Sequence, residues 1–502
     1  MAVPNRRGAG LRRAARGRAG AVAVAVALYA GAGVVALAPG LRDASSHFLA
    51  YGKPRPHDAV TPGDYLQTTY NLWLPGEQLA HGRVPWQDGY SFRPESPPRT
   101  NYAAWPFAIV FWPLHALLGA VGAWNAFVFL TYVGAGGFAA LWLRSLGLGL
   151  GAALVGGLAF TLAPYRSIQT SGGHLLGPIS MLLPLALYAV ERRLDWLAIA
   201  AVAAIPLSGQ VHLALGVLPF FAAYALVRRR SWAALAGAVA GAAAGGLVYL
   251  DEIRGSAGAS GRRFAEVERY SAELPDLFTR HARHGFETFV FVGWALPVAA
   301  IVGAVLLARR EPRLAAVVGA GAVVPVLLAL GANTPLYEPL WRVLPGLHET
   351  RVPGRLLPIS ALSLAAFAAV AVDRVRWRWT AVVAAVLVAA DLRIDPYTPL
   401  PADDHNAAYA VLSAAPTGRL LETPVVLPER QEGTVYLYYA MQAHRQRPLG
   451  YSTTAPPAAV RAARRLRASP TGGTAWRLGV RYLIRFENGK PTSIERLRRP
   501  LP

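Results

Sequence analysis

Long apolar stretches separated by short polar segments dominate the chain from residue 19 to residue 396. A transmembrane helix needs about 20 consecutive, mostly apolar residues, and eleven stretches reach or approach that length. They lie at residues 19–39, 121–143, 148–164, 176–190, 195–209, 211–227, 232–250, 286–308, 314–331, 355–373 and 379–394. The pattern predicts an all-α polytopic membrane domain over residues 19–396, with about eleven transmembrane helices.

The basic residues indicate how these helices are oriented. Arginines cluster after many of the stretches, at positions 144, 192–193, 228–230, 309–313 and 374–378. If every stretch crosses the membrane, these clusters share one side, and positively charged loops mark the cytoplasm. The tail 1–18 contains six arginines and no acid, so we expect it in the cytoplasm. The run that follows it is long and lacks a clear A-x-A cleavage site, which favours a retained first helix over a signal peptide.

Residues 104–119 require a separate interpretation. They are mostly apolar but include Pro106, Pro113 and His115. Counting them as a full span would place nearly every basic loop outside the cell. The positive-inside rule therefore favours a segment that lies at the interface or re-enters the membrane. The C-terminus is then expected on the extracytoplasmic side.

Four polar regions are expected outside the membrane on this topology. They are the first external loop, about 40–103, the segments 251–285 and 332–354, and the tail 397–502. In the tail, residues 425–427, 435–439 and 480–486 are typical of short strands, and residues 460–468 of a basic helix. We predict a small extracytoplasmic α/β domain there.

Composition narrows the functional classes further. Charged residues make up 16% of the 502 residues, whereas soluble domains carry roughly 25%. The net charge of +22 would suggest nucleic acid in a soluble protein, but the basic residues lie in short loops between apolar runs. A nucleic-acid partner is therefore not expected. The absence of cysteine excludes disulfides, thiolate metal sites and cysteine nucleophiles.

The first external loop holds most of the candidate chemistry. Asp64 precedes a helix-like stretch, where it is either an N-cap or a general base near the membrane surface; spacing alone favours the cap. Glu77 is either a solvated charge, a second carboxylate or a ligand for a divalent metal, and Asp88 and Glu95 have the same alternatives. Trp86 suits either an interfacial aromatic belt or stacking on a sugar.

Two later external segments add further candidates. His174, in a short loop between predicted helices, is either a structural residue or a proton-transfer group, and Arg166 and Gln169 are polar neighbours on the same rim. Arg351 and Arg355 flank Val-Pro-Gly at an external helix end. Such an arginine pair can bind phosphate oxygens in paired geometry, or anchor the helix at the interface.

Four groups of motifs between about residues 60 and 485 occur in an order typical of one superfamily. They are Gly63-Asp64 with the Trp73 region and His81-Gly82-Arg83-Val84-Pro85; Ala163-Pro164-Tyr165 with Gly173-His174; Gly331-Ala332-Asn333-Thr334-Pro335-Leu336-Tyr337 with Leu344-Pro345-Gly346 and Arg351-Val352-Pro353-Gly354-Arg355; and His444 with Gly450-Tyr451-Ser452 and Leu478-Gly479-Val480-Arg481-Tyr482. In this order they resemble bacterial membrane proteins of the GT-C glycosyltransferase superfamily, particularly its uncharacterised and YfhO-like branches.

The resemblance implies a helical membrane core with an active site on the external face. It implies transfer of a sugar from a polyprenyl-phosphate carrier to an acceptor, with inversion at the anomeric carbon. Asp64 matches the position of the base, and Arg351 and Arg355 would hold the carrier phosphate. His174 would support the site, and Glu77, Trp86 and Arg166 are further candidates for substrate contact.

The leading hypothesis is therefore a glycosyltransferase of the bacterial plasma membrane that serves cell-envelope assembly. Its partners would be the bilayer, a polyprenyl-phosphate sugar, and a glycan, lipid or protein acceptor. One alternative is a transporter or flippase of a lipid-linked saccharide, although such proteins carry charged groups at the membrane midplane, whereas most charges here lie at helix ends. A second alternative is a non-catalytic assembly protein whose tail recruits an envelope partner.

Overall fold

A computed structural model of the chain describes residues 6–229, 232–256, 263–280, 282, 285–344, 346–487 and 489–498. The part before residue 397 is mostly helical. Its helices are α1 (Arg6–Leu37), α2 (Asp64–Ala80), α3 (Ala108–Ser145), α4 (Leu150–Thr161), α5 (Pro164–Ser171), α6 (Leu176–Ile179), α7 (Leu182–Arg192), α8 (Asp195–Leu207), α9 (Val211–Arg229), α10 (Trp232–Val248), α11 (Phe264–Tyr270), α12 (Ala295–Ala308), α13 (Pro312–Ala329), α14 (Tyr337–Val343), α15 (Leu357–Arg374) and α16 (Thr380–Leu392).

Five helices among the described residues are long and apolar enough to cross a membrane. They are the apolar part of α1 with the turn that follows it, α3, α9, α13, and α15 with the turn that precedes it. α4, α8, α12 and α16 are apolar but shorter; the 12 residues of α4 rise only about 18 Å, against a hydrocarbon core of about 30 Å. The chain is thus a helical membrane protein, and the number of eleven spans stays a prediction.

The helices pack in two connected groups. α3 packs against α1, α2, α4 and α7, and α15 packs against α4, α12 and α13. α8, α9 and α10 pack against one another. At one junction the buried Trp142 donates a hydrogen bond to the Tyr224 hydroxyl at 2.8 Å, so this contact satisfies a polar atom inside an apolar core.

α3 consists of two helical pieces. Gly119 separates them with φ +69° and ψ −175°, a conformation that only glycine adopts easily. The first piece, residues 108–118, exposes the apolar side chains of Ile109, Trp112 and Leu117. A short helix with an exposed apolar face agrees with the interfacial placement expected for residues 104–119.

The predicted span at 286–308 is wrong in its first third. Residues 289–294 are not helical, and α12 begins only at Ala295. The reason is a cap supplied by another helix: the Asp391 carboxylate, from α16, accepts hydrogen bonds from the backbone N–H groups of Trp294, Ala295 and Leu296 at 2.8–3.0 Å. The residues before α12 are therefore free to form an irregular loop.

The tail combines short helices with a small sheet. Its helices are α17 (Ala407–Ala414), α18 (Thr434–Ala440), α19 (Pro457–Ala468) and α20 (Gly473–Arg477). The strands of the whole chain are β1 (His47–Ala50), β2 (Gln87–Asp88), β3 (Arg99–Thr100), β4 (Thr398–Pro401), β5 (Arg419–Thr423), β6 (Val480–Glu487) and β7 (Lys490–Arg496). β5 pairs in parallel with β6, and β6 pairs antiparallel with β7.

Two of the strands expected in the tail are absent from the described residues. Residues 425–427 have no regular structure, and residues 435–439 belong to α18. Every residue of α18 is buried, and an apolar run buried on all sides shows no period that distinguishes a helix from a strand. The strand expected at 480–486 and the helix expected at 460–468 are present as β6 and α19.

The tail packs directly onto the first external loop. β1 pairs antiparallel with β4, with Phe48 opposite Leu400, and α18 packs against α2. Tyr438 of α18 meets the ring of Phe48 edge-on at 5.7 Å. One continuous apolar core therefore includes both regions, while the domain boundary at residue 397 stays a prediction.

Candidate active site

The candidate site is built around the first residue of α2. Gly63 occupies the cap position in an extended conformation, and no side chain caps the helix. The N-cap interpretation of Asp64 is therefore wrong, because Asp64 is already helical and its carboxylate points at side chains instead. The positive end of the helix dipole still favours a negative charge at this place.

Three side chains from distant parts of the chain bind the Asp64 carboxylate. His174 Nε2 lies 3.0 Å from Oδ2, and Oδ1 accepts hydrogen bonds from the Tyr451 hydroxyl at 2.9 Å and the Gln431 amide at 3.2 Å. Burial raises the pKa of the Asp64 carboxyl, but the hydrogen bond and charge of His174, with the bonds from Tyr451 and Gln431, outweigh that and lower the pKa below its ordinary value. Asp64 is thus ionised near neutral pH.

His174 is held from both sides of its ring. Its Nδ1 lies 2.7 Å from Oε1 of Gln169 on α5, while its Nε2 faces Asp64. These two contacts fix the orientation of the imidazole ring. The preceding residue, Gly173, has φ +87° and its carbonyl accepts a 2.6 Å bond from the Thr68 hydroxyl, which fixes the loop against α2.

Glu287 connects this pair to the predicted arginines. Its Oε1 lies 2.9 Å from Arg355 Nη2 and 4.0 Å from His174 Nδ1. Burial raises the pKa of the Glu287 carboxyl, but the charges of Arg355 and His174 outweigh it and lower the pKa. The sequence interpretation missed Glu287 because its apolar neighbours placed it in a span; an acid inside an apolar run was the available signal.

The network lies between two cavities. The first, the base cavity, has a volume of about 230 Å³, and its lining includes Tyr51, Lys53, Arg55, Asp64, Phe286, Gln431 and Glu432. The second, the arginine cavity, has a volume of about 260 Å³, and its lining includes Gln67, Gln210, His212, Glu252, Arg351, Arg355 and Thr454.

The two cavities are lined by residues that are close in sequence. Gln67 of the arginine cavity is three residues after Asp64 on α2, which is the same helix face one turn on. Tyr451, which binds Asp64, immediately precedes Ser452, which lines the arginine cavity. Asp64 and the arginine pair therefore face neighbouring volumes rather than a single one.

Three predicted substrate contacts lie elsewhere. Glu77 is 13 residues along α2, roughly 20 Å away along the axis, and pairs with His444 at 2.7 Å and His81 at 3.1 Å. Trp86 is exposed after the end of α2. Arg166 is fully buried and donates to the carbonyl groups of Thr131 and Thr161. None of these three lines the base cavity or the arginine cavity, so the structure does not place them with Asp64.

The metal ligands considered for the first loop do not converge. Among the described residues, no group of three or more His, Asp or Glu side chains is arranged to hold a metal ion. Asp88 instead accepts hydrogen bonds from the Tyr70 hydroxyl and from the backbone of Tyr90 and Ser91, and Glu95 pairs with Arg465 at 3.5 Å.

Replacing Gly173 by alanine is expected to move His174 away from Asp64 and to destabilise the protein. A Cβ at this position would lie 2.1 Å from the backbone nitrogen of Tyr65, and its positive φ disfavours any side chain. We expect a loss of roughly 1–3 kcal/mol in unfolding free energy, measured as a lower midpoint of thermal unfolding in detergent. Gly137→Ala is the control, because a Cβ there meets nothing within 4 Å; equal losses would contradict the argument.

Solved structures of related shape exist, although no family model and no curated protein matches the chain. The arabinofuranosyltransferase AftD from mycobacteria is similar over 92% of this chain, with 18% sequence identity and a TM-score of 0.51. The chain spans about a third of the length of AftD, 35%.

Two other solved structures match with lower scores. The match to the oligosaccharyltransferase AglB from Archaeoglobus fulgidus covers 92% of this chain and 69% of AglB, at 12% identity and a TM-score of 0.47. The match to ArnT from Cupriavidus metallidurans, bound to undecaprenyl phosphate, covers 84% of this chain and 70% of ArnT, at 18% identity and a TM-score of 0.41.

The similarity to AftD extends over 92% of the chain. It confirms the fold expected from the order of motifs in the sequence, while the YfhO-like branch stays a prediction. The chain has the fold of the GT-C glycosyltransferase superfamily.

Proposed function

We propose that this chain is a membrane glycosyltransferase. In this proposal it transfers a sugar from a polyprenyl-phosphate donor to a cell-envelope acceptor on the extracytoplasmic face of the bacterial plasma membrane, with inversion at the anomeric carbon. Support comes from the similar structure AftD, which is named an arabinofuranosyltransferase. The observation that carries the proposal is the half-buried Asp64–His174 pair, linked through Glu287 to Arg355 of the arginine cavity.

Asp64 has the properties of a general base in this reaction. Its carboxylate is ionised, about 20% exposed and open to a cavity, so an acceptor hydroxyl can reach it at hydrogen-bond distance. Asp64 would take the hydroxyl proton as the acceptor oxygen forms a bond to the anomeric carbon. The bond from that carbon to the phosphate oxygen breaks at the same time, and the electron pair leaves with the lipid phosphate.

The arginine cavity suits the leaving phosphate. Arg351 and Arg355 both line it, and Nε of Arg355 is buried without a hydrogen-bond partner among the described residues. A phosphate oxygen would satisfy that donor, and two guanidinium groups would stabilise the negative charge that develops as the bond to the sugar breaks. His174 would hold Asp64 in position, and its own charge would favour the ionised carboxylate.

The proposal requires a defined topology. The tail 1–18 and the basic loops would lie in the cytoplasm, about eleven helices would cross the membrane, and residues 397–502 would form an extracytoplasmic domain. Residues of that domain, Gln431 and Tyr451, bind Asp64, which requires the first external loop and the tail to share one side. Cysteine labelling of a chain that naturally lacks cysteine tests each loop separately.

A transfer assay separates the proposed function from its alternatives. The purified full chain is placed in vesicles containing a panel of radiolabelled polyprenyl-phosphate sugars, and envelope glycans and lipids are offered as acceptors. A covalently labelled acceptor supports the transferase. Movement of intact lipid-linked sugar between leaflets without a labelled product supports a transporter. If neither transfer nor movement is observed, the non-catalytic assembly role is favoured.

Arg351→Gln is expected to weaken donor binding. The Arg351 guanidinium lies over the ring of Tyr270 at 5.5 Å and borders the arginine cavity, so its loss removes a charged contact to phosphate without breaking a buried ion pair. We expect KM for the donor to rise about tenfold to a hundredfold, equivalent to roughly 1.4–2.7 kcal/mol. Arg342→Gln is the control, because Arg342 is exposed on α14 and forms an exposed ion pair with Glu338 of the same helix. A KM unchanged by Arg351→Gln would remove Arg351 from the phosphate site.

A further inference from the structure

The base cavity has a cationic rim that the mechanism does not use. Lys53 and Arg55 line it and both are exposed. Neither forms an ion pair with an acid in the part of the chain that the structure describes. Two positive side chains thus line the same cavity as Asp64 without forming an ion pair.

The acids of the same cavity do not pair with these two cations. Asp64 faces His174 at 3.0 Å, and Tyr451 and Gln431 bind its other oxygen. Glu432 lines the cavity and is exposed, but it forms no ion pair with Lys53 or Arg55 among the described residues. Lys53 and Arg55 are therefore available to an anionic ligand.

An aromatic surface lies in the same volume. The Tyr51 ring is 41% exposed and lies 5.4 Å from the ring of Phe286, which in turn meets the ring of His174 at 4.9 Å. This surface presents an apolar face next to the polar groups of Asp64 and Gln431. A sugar ring, with one apolar face and a rim of hydroxyl groups, matches that combination.

We propose that the base cavity is the acceptor site and that its acceptor is an anionic glycan, with a carboxylate or phosphate group close to the sugar that receives the transferred residue. The inference rests on the proposed function, because it takes Asp64 as the base for the acceptor hydroxyl. The anionic group would contact Lys53 and Arg55, and the sugar would lie against Tyr51 with a hydroxyl directed at Asp64. The donor phosphate would bind at Arg351 and Arg355, with its sugar directed towards Asp64 so that the acceptor hydroxyl reaches the anomeric carbon.

Equilibrium binding tests this proposal without requiring turnover. The full chain in nanodiscs is titrated with fluorescently labelled tetragalacturonate, with a phosphorylated tetramannose, and with neutral tetragalactose. We expect one or both anionic glycans to bind at least tenfold more tightly than the neutral one. The double variant Lys53→Gln/Arg55→Gln should lower the affinity for the anionic glycan about tenfold and leave the neutral glycan unchanged, with a difference that shrinks as salt rises.

Two further variants distinguish a failure of this inference from a failure of the proposed function. Arg496→Gln, an exposed arginine on β7, is the charge control and should bind all glycans as the wild type does. Asp64→Asn should retain binding of the anionic glycan and lose transfer. Equal binding of charged and neutral glycans, or unchanged binding in the double variant, would overturn the inference. Charge-selective binding together with no transfer to any acceptor would support the base cavity as a binding site for anionic glycans but contradict the proposed function.

Discussion

Replacing Asp64 by asparagine is expected to lower the rate of sugar transfer by about 10²–10⁴-fold, the usual contribution of a general base. Asparagine keeps the size of the side chain and can still accept a hydrogen bond from Tyr451. It cannot take a proton from a hydroxyl group, so the loss falls on kcat rather than on KM. The measurement is single-turnover transfer from a labelled polyprenyl-phosphate sugar by the full chain in vesicles.

Asp43→Asn provides the matched control for this result. Asp43 lies in the same loop and is exposed, and its backbone carbonyl, which the substitution keeps, accepts hydrogen bonds from Ser46. We expect its transfer rate to equal that of the wild type. Transfer by Asp64→Asn at the wild-type rate would remove Asp64 from the mechanism, and with it the base on which the proposed function depends.

Replacing Arg447 by methionine is expected to cost the protein about 3–5 kcal/mol of stability. Arg447 and Glu422 are both completely buried and form an ion pair, and Arg447 also donates to the backbone carbonyl of Tyr436 at 2.6 Å. Methionine fills a similar volume but leaves the Glu422 carboxyl without its partner in an apolar core. The expected result is a large fall in the thermal midpoint and faster proteolysis of residues 397–502 in the full chain.

Two companion variants identify the cause of that loss. Arg447→Met combined with Glu422→Leu removes both charges and should regain much of the stability, because no unpaired charge remains. Arg485→Met breaks the exposed pair between β6 and β7, whose partners are 52% and 50% exposed, and should cost less than about 1 kcal/mol. A loss at Arg485 as large as the loss at Arg447 would contradict the buried-pair explanation.

The positions of the apolar helices were largely predictable from the sequence, because hydrophobicity alone indicates them. Each of the eleven apolar stretches contains a helix among the described residues, and the proline-rich segment 104–119 is separated from the next helix at Gly119. Helix boundaries were less predictable, since they depend on partners far away in the chain. α12 begins at Ala295 because Asp391 of α16 caps it, and no local pattern contains that information.

The site was predictable in part for the same reason. Asp64 stood out before a helix-like stretch of the first loop and His174 in a short loop between predicted helices, and they meet at 3.0 Å. Glu287 was hidden in an apolar run, and Tyr451 and Gln431 lie in a tail whose fold could not be inferred from its short motifs. Glu77 looked equivalent to Asp64 in sequence, but a continuous helix carries it to the far end of α2. Local pattern identifies the type of side chain, and only the tertiary contacts decide which side chains meet.

The hydrogen bond between Asp64 and Tyr451 determines when, during synthesis of the chain, the site can be completed. The two residues are separated by 387 positions, and at roughly 5–20 residues per second the ribosome needs about 20–80 s to travel between them. During that interval the aspartate has already been made while two of its hydrogen-bond donors have not. The site is therefore complete only after Gln431 and Tyr451 have been synthesised, so activity should require a chain that extends at least through Tyr451.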